Sequence, residues 1–276
     1  MREPKLLTAC RHLLLLTFVA ISIYPALNVF SISLRPGNRL RSTDLAIIPP
    51  DWTFASYVQL FTEQPFLRWL GNSLIVAALV TVTGVALASM GGYAFSRFRF
   101  VGRQATMLAI LTTQMFPATM LLLPLYILIA KLHLINTYLG LMVFYTSTAL
   151  PFCVWQMKGF YDTIPTSLEE AARIDGCSRQ RAFWTVILPL ATPGLVITAL
   201  FSFMSSWSEY IVAAQVMQDE DMFTLPLGLK SFHASMSTQW GLYAAASVLV
   251  SIPVVIVFLM LSKYLVSGLT LGSVKE

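Results

Sequence analysis

Charged side chains are scarce in this sequence of 276 residues: Asp, Glu, Lys and Arg make up 11%, less than half of the roughly 25% usual in soluble proteins. Hydrophobic residues make up 57%. Six stretches lack all four charged types, at 13–34, 69–96, 104–130, 132–157, 182–208 and 231–262. Each is longer than the ~20 residues that a helix needs to cross a bilayer. The sequence predicts an all-α integral membrane protein with six transmembrane helices.

Cysteine and histidine are also rare in the sequence. The three cysteines, Cys10, Cys153 and Cys177, show no CxxC pairing, and the three histidines have no metal-ligand spacing. Neither a disulfide framework nor a metal site is expected. The sequence also lacks the GxxxxGK[ST] loop that cradles ATP phosphates. We therefore expect no cofactor on this chain.

The arrangement of the apolar stretches predicts one transmembrane domain over residues 1–276, with spans at about 13–34, 70–95, 106–130, 138–157, 194–217 and 240–266. On this topology 12 of the 18 Lys and Arg residues lie inside and 6 outside. The positive-inside rule then favours cytoplasmic termini. The first apolar run is long and has no A-x-A site, which favours a retained span over a signal peptide. The net charge is +5, but the distribution of the basic residues along the chain argues against nucleic-acid binding.

Two spans carry features that are unusual inside a membrane. Pro117 and Pro124 interrupt the third span, which indicates either a packing kink or a broken helix along a pathway. Glu209 is the one acid inside a span, and burying it there costs ~3 kcal/mol. It is either functional or a structural hydrogen-bond partner.

The segment 165–189, PTSLEEAARIDGCSRQRAFWTVILP, is a polar insert between the fourth and fifth spans. Thr166 with Glu169, and Ser167 with Glu170, have the spacing of capping boxes. Gly176 suits a helix C-terminus and Ser178 the start of a second helix. The pattern predicts two short angled helices at the inner membrane face. They either dock onto a partner or rest on the bilayer as interfacial helices.

The insert resembles the EAA loop of ABC-importer permeases, EAA-x3-G-x9-I-x-L-P, with Val186 for Ile as the only departure. Further blocks similar to carbohydrate-importer permeases of the maltose/maltodextrin (MalG-like) type are Ser33-Leu34-Arg35-Pro36, Trp52-Thr53, Asn72-Ser73, Met115-Phe116-Pro117-Ala118, Lys158-Gly159-Phe160, Trp207-Ser208-Glu209-Tyr210 and the tail Gly268–Lys275. Trehalose and other oligosaccharide permeases share these blocks. Ser208 departs from the Asn of many relatives.

The resemblance implies a heterodimer with a second permease subunit in a prokaryotic cytoplasmic membrane. Its other partners would be two ATP-binding subunits, which hold ATP and Mg²⁺, and an extracytoplasmic sugar-binding protein. The loop would dock into a cleft of the ATPase through Glu169, Glu170, Ala171, Ala172, Asp175, Gly176, Phe183 and Pro189. ATP would then drive alternating access.

Aromatic faces beside polar groups suit a sugar ring, so we predict a substrate path through Met115, Phe116, Tyr145, Phe152, Trp207 and Glu209. The alternative for each aromatic residue is ordinary packing. Three rival functions remain: a proton-coupled secondary transporter using Glu209, a membrane enzyme and a scaffold. The first should show inverted repeats, and the second a cluster of catalytic groups. Neither pattern is visible in the sequence.

Overall fold

The computed structural model describes residues 5–40, 47–233 and 238–271, and every regular element in these ranges is helical. The α-helices, in chain order, are α1 Lys5–Ser33, α2 Ala55–Thr62, α3 Phe66–Arg97, α4 Arg103–Thr113, α5 Ala118–Lys131, α6 Tyr138–Asp162, α7 Ser167–Ile174, α8 Arg179–Ala182, α9 Leu188–Leu190, α10 Thr192–Trp207, α11 Ile211–Val216, α12 Leu225–Ser231 and α13 Trp240–Leu271. A π-helical turn, Phe183–Ile187, joins α8 to α9, and a short 3-10 helix covers Glu220–Met222. The predicted all-α class is confirmed. The end of the tail, 272–276, lies outside the described residues.

Four helices in the described ranges, α1, α3, α6 and α13, are long and apolar enough to cross a membrane. A fifth candidate is the bent pair formed by Arg179–Leu190 and Thr192–Trp207, which meet at 76°. The count of six spans therefore stays a prediction.

The third and fifth predicted spans are interrupted, which explains why fewer continuous spans are found. The helical path of the third stops between Thr113 and Ala118. Pro117 there has an extended backbone (φ −55°, ψ 129°) and no N–H to donate. Because α4 and α5 have 11 and 14 residues, neither half reaches the length of a span. The fifth breaks between Trp207 and Ile211.

The described residues pack as two compact units, one drawn from those within 1–67 and 228–253, the other from those within 68–227 and 254–276. In the first unit, the Ser33 hydroxyl lies 2.8 Å from that of Tyr57. Arg35 is buried there and donates to the Leu40 carbonyl at 2.6 Å. These contacts join the end of α1 to the segment that follows it. The single transmembrane domain stays a prediction.

In the second unit, α3 and α6 lie side by side at very close range. Val76 and Val80 of α3 share one buried cluster with Phe144 of α6, and Ala88 of α3 shares another with Met157. Glycine permits this approach: a Cβ at Gly92 would lie 2.8 Å from the backbone nitrogen of Lys158. The polar insert follows α6 in the chain and contacts the end of α3.

Candidate functional site

The polar insert folds as two short helices that meet at a glycine. The first is α7, and the second is continuous from Arg179 to Leu190 through α8, the π-helical turn and α9. Gly176 has a φ of +85°, a conformation that residues with a Cβ adopt only with strain. The Ser178 hydroxyl accepts a hydrogen bond from the Arg181 amide at 3.2 Å and caps the second helix. Both features match the prediction.

The start of α7 differs from the prediction. The Thr166 side chain makes no capping hydrogen bond, and its backbone is already helical (φ −65°, ψ −25°). Its carbonyl oxygen, rather than its hydroxyl, accepts from the Glu169 amide at 3.0 Å. A capping side chain needs an extended backbone at that position. The capping box predicted at Thr166 is therefore wrong.

Burial divides the insert into an inner and an outer surface. Ala172, Ala182 and Phe183 face inward, and Phe183 packs against the ring of Tyr93 with centroids 4.6 Å apart. Other side chains of α7 and its C-terminal end are exposed, namely Leu168, Glu170, Ala171, Arg173, Ile174 and Asp175. The apolar side chain of Ile174 is 87% exposed. We call this set the outer face of α7.

A buried ion pair ties α7 to the end of α3. Arg97 Nε contacts Glu169 Oε1, and the two side chains are only 9% and 15% exposed. Arg97 also donates to the Ile164 carbonyl at 2.7 Å, while the Tyr93 hydroxyl donates to Glu169 Oε2 at 3.0 Å. A buried charge is tolerated when paired and hydrogen-bonded in this way. Beside the pair is a cavity of about 160 Å³ lined by Tyr93, Arg97, Phe98, Thr166, Glu169, Glu170, Arg173 and Arg179.

The predicted docking residues thus occupy different environments. Five are exposed: Glu170, Ala171, Asp175, Gly176 and Pro189. Ala172 and Phe183 are buried within this chain, and Glu169 is committed to Arg97. Docking stays a prediction for all eight. Sequence reasoning missed Arg97 and Tyr93, because a cation at the inner end of a span already satisfies the positive-inside pattern.

The predicted path residues are equally mixed. Met115 and Phe116 are 82% and 55% exposed at the break between α4 and α5. Tyr145 and Trp207 are buried, and Trp207 stacks on Phe203 with centroids 5.4 Å apart. Phe152 is half-buried against Phe201, at 4.3 Å between centroids. Buried stacking of this kind accords with the packing alternative, and the path itself stays a prediction.

Glu209 lies at the second interrupted span, where it caps a new helix. Its carboxylate accepts from the Val212 amide at 3.0 and 3.1 Å and from the Ala213 amide at 3.4 Å. The nearby Tyr145 side chain is buried, and its hydroxyl interacts with this acid. These contacts fit the structural alternative for Glu209. A role in the path remains a prediction.

Residues 81–270 match the family described as binding-protein-dependent transport system inner membrane component. The chain belongs to this family. The permease is 34% identical over 268 residues to the maltodextrin transport system permease protein MdxG of Bacillus subtilis (strain 168), covering 96% of this chain and 95% of the relative. It is 37% identical over 282 residues to the maltose/maltodextrin transport system permease protein MalG of Escherichia coli (strain K12), covering 96% and 94%.

The fold of the permease matches that of a solved transporter. The crystal structure of a bacterial ABC transporter involved in the import of the acidic polysaccharide alginate superposes with a TM-score of 0.81. The two chains are 25% identical, and 96% of this chain and 98% of the other are covered. The permease is therefore a multi-pass inner-membrane subunit of the ABC-importer class for sugars, and not itself an enzyme.

Proposed function

We propose that this permease is the membrane-spanning subunit of an ATP-driven importer of an oligosaccharide, with maltose or maltodextrin as its substrate. Two relatives with 34% and 37% identity are maltodextrin-type permeases, which supports this substrate. The alginate transporter has a similar fold and a different cargo. Trehalose and other oligosaccharides are therefore the competing substrates to be tested.

A separate ATPase docks on the outer face of α7. The observation that carries this proposal is that this face pairs an acid, Glu170, with the small Ala171 and the 87% exposed Ile174. Ala171 and Ile174 are three positions apart and so are neighbours on the surface of α7, where they form a small apolar surface beside Glu170. Ala171 lets a partner backbone approach closely, while Glu170 is free to pair with a cation.

The transport cycle follows from this docking. The chain crosses the membrane six times with both termini in the cytoplasm, and the insert lies on the cytoplasmic side between the fourth and fifth spans. A second permease subunit, two ATPases that bind ATP and Mg²⁺, and an external sugar-binding protein complete the transporter. Closure of the ATPases moves α7, and the spans alternate between inward-open and outward-open states.

The docking proposal is tested by reversing one exposed charge. Glu170→Lys should abolish co-purification of the ATPase and reduce sugar uptake at least tenfold, with normal membrane insertion. Glu220→Lys is the matched control, because Glu220 is also exposed and belongs to a different loop. The control variant should retain ATPase co-purification and normal sugar uptake. Normal uptake by Glu170→Lys would refute docking through this face.

Substrate and energy source are tested in liposomes that contain the complete transporter. Maltodextrins should stimulate ATP hydrolysis and enter the vesicles only when ATP is present, whereas trehalose should do neither. Uptake driven by a proton gradient without ATP would instead establish the secondary transporter that uses Glu209. Stimulation by another oligosaccharide alone would keep the importer and change its substrate.

A further inference from the structure

Two adjacent glutamates of the insert have different environments. Glu170 belongs to the outer face of α7, whereas Glu169 is 15% exposed and has both carboxylate oxygens engaged by Arg97 and Tyr93. Successive residues of an α-helix point about 100° apart, so one turn of α7 presents one acid outward and one inward. The inner acid is therefore not available to a partner that covers the outer face.

We propose that Arg97 is a positioning residue for energy coupling, which holds α7 against the end of α3 so that a displacement of α7 moves α3 and α6 with it. This inference rests on the proposed docking of an ATPase at α7. It concerns what happens inside the permease after docking.

Arg97 contacts α7, the segment between α6 and α7, and, through Ser96, α6 itself. Arg97 is the last residue of α3, and its guanidinium contacts Glu169 of α7. A second nitrogen donates to the carbonyl of Ile164, which lies between α6 and α7. A third donates to the Ser96 hydroxyl at 3.1 Å, which in turn donates to Asp162 of α6 at 2.7 Å. A planar guanidinium makes several such bonds at once, whereas the ammonium of Lys acts as a point charge.

Aromatic packing makes this junction stiff. The Tyr93 ring packs on Phe183 of the insert and on Tyr161 of α6, at centroid distances of 4.6 and 5.8 Å. The Tyr161 hydroxyl lies 2.9 Å from that of Ser89 on α3. With Gly92 closely packed against Lys158, no loose layer separates α3 from α6 at this end. Packed interiors transmit displacement rather than absorb it.

The test measures sugar uptake per ATP hydrolysed in the reconstituted complete transporter. Arg97→Lys and Glu169→Gln should still bind the ATPase, because the outer face of α7 is unchanged, and their uptake per ATP should fall at least tenfold. The double variant should lose no more than the worse single one, since both changes break the same contact. Arg68→Lys is the matched control: it makes the same substitution near the start of α3, where Arg68 forms an exposed pair with Asp221 at 3.4 Å. Its uptake per ATP should equal that of the unmodified transporter.

The outcomes separate this inference from the docking proposal. Unchanged uptake per ATP in both variants would overturn the role of Arg97 and leave docking intact. Loss of ATPase binding in correctly folded variants would also overturn it, because the pair would then shape the docking surface itself. If Glu169→Gln fails to insert, Arg97→Lys decides, since it retains the positive charge beside Glu169. Failure of docking itself is recognised separately, by normal uptake in Glu170→Lys.

Discussion

The close contact at Gly92 can be tested by adding a single methyl group. In Gly92→Ala the new Cβ would lie 2.7 Å from the Met157 Cβ and 2.8 Å from the Lys158 nitrogen. Ordinary contact begins at 3.4 Å, so α3 and α6 must separate by about 0.6–0.7 Å. Part of the obstacle is backbone, which no rotamer change can move aside. Overpacking of this kind costs about 1–3 kcal/mol.

Gly159→Ala provides the matched control, because nothing lies within 4 Å of a Cβ at Gly159 on α6. Both variants gain the same intrinsic helix preference of about 1 kcal/mol, so their difference isolates the clash. The purified permease is unfolded by heat in detergent while its tryptophan fluorescence is recorded. At about 2–4 °C per kcal/mol, Gly92→Ala should melt about 2–12 °C below Gly159→Ala. Equal melting temperatures would refute the claim that the two backbones are in contact.

Three further changes test local features by the same thermal assay. Glu209→Gln should stay near the unmodified stability because its amide oxygen still accepts from Val212, whereas Glu209→Leu should lose about 1–2 kcal/mol. Equal stability of the two would contradict the capping role. Gly176→Ala should lose about 1–2 kcal/mol because its φ is +85°, and an unchanged melting temperature would show that α7 ends differently. Ser178→Ala should lower the free energy of unfolding by about 1 kcal/mol, because it removes the hydrogen bond from the Arg181 amide. An unchanged melting temperature would show that this cap does not stabilise the helix.

Local patterns were sufficient to predict the helical class and the plan of the insert. Charge-free stretches identify apolar helices, and a glycine followed by serine marks the turn between the two helices of the insert. Pro117 marks the break in the third span, because proline removes one hydrogen bond and restricts the residue before it. The break after Trp207 has no such marker, since no proline or glycine occurs there.

The contacts of the insert could not be predicted in the same way. Arg97 and Glu169 are 72 positions apart, and their pairing depends on how closely α3 packs on α6. No local spacing reports that distance. Thr166 shows the reverse error: its spacing to Glu169 fits a capping box, yet its own backbone is already helical, so its carbonyl oxygen rather than its hydroxyl accepts from Glu169.

The π-helical turn from Phe183 to Ile187 sets the rotational phase of the insert. Ala182 and Ile187 are five positions apart and both fully buried, at 1% and 0% exposure. In a regular α-helix they would point about 140° apart, whereas a π-helical turn returns to the same side after about five residues. If the same residues formed a regular α-helix instead, Ile187 would be turned away from the buried side that Ala182 occupies. The nine-residue interval between Gly176 and Val186 therefore includes one more residue than a regular α-helical turn needs, and the π-helical turn is what keeps both Ala182 and Ile187 buried.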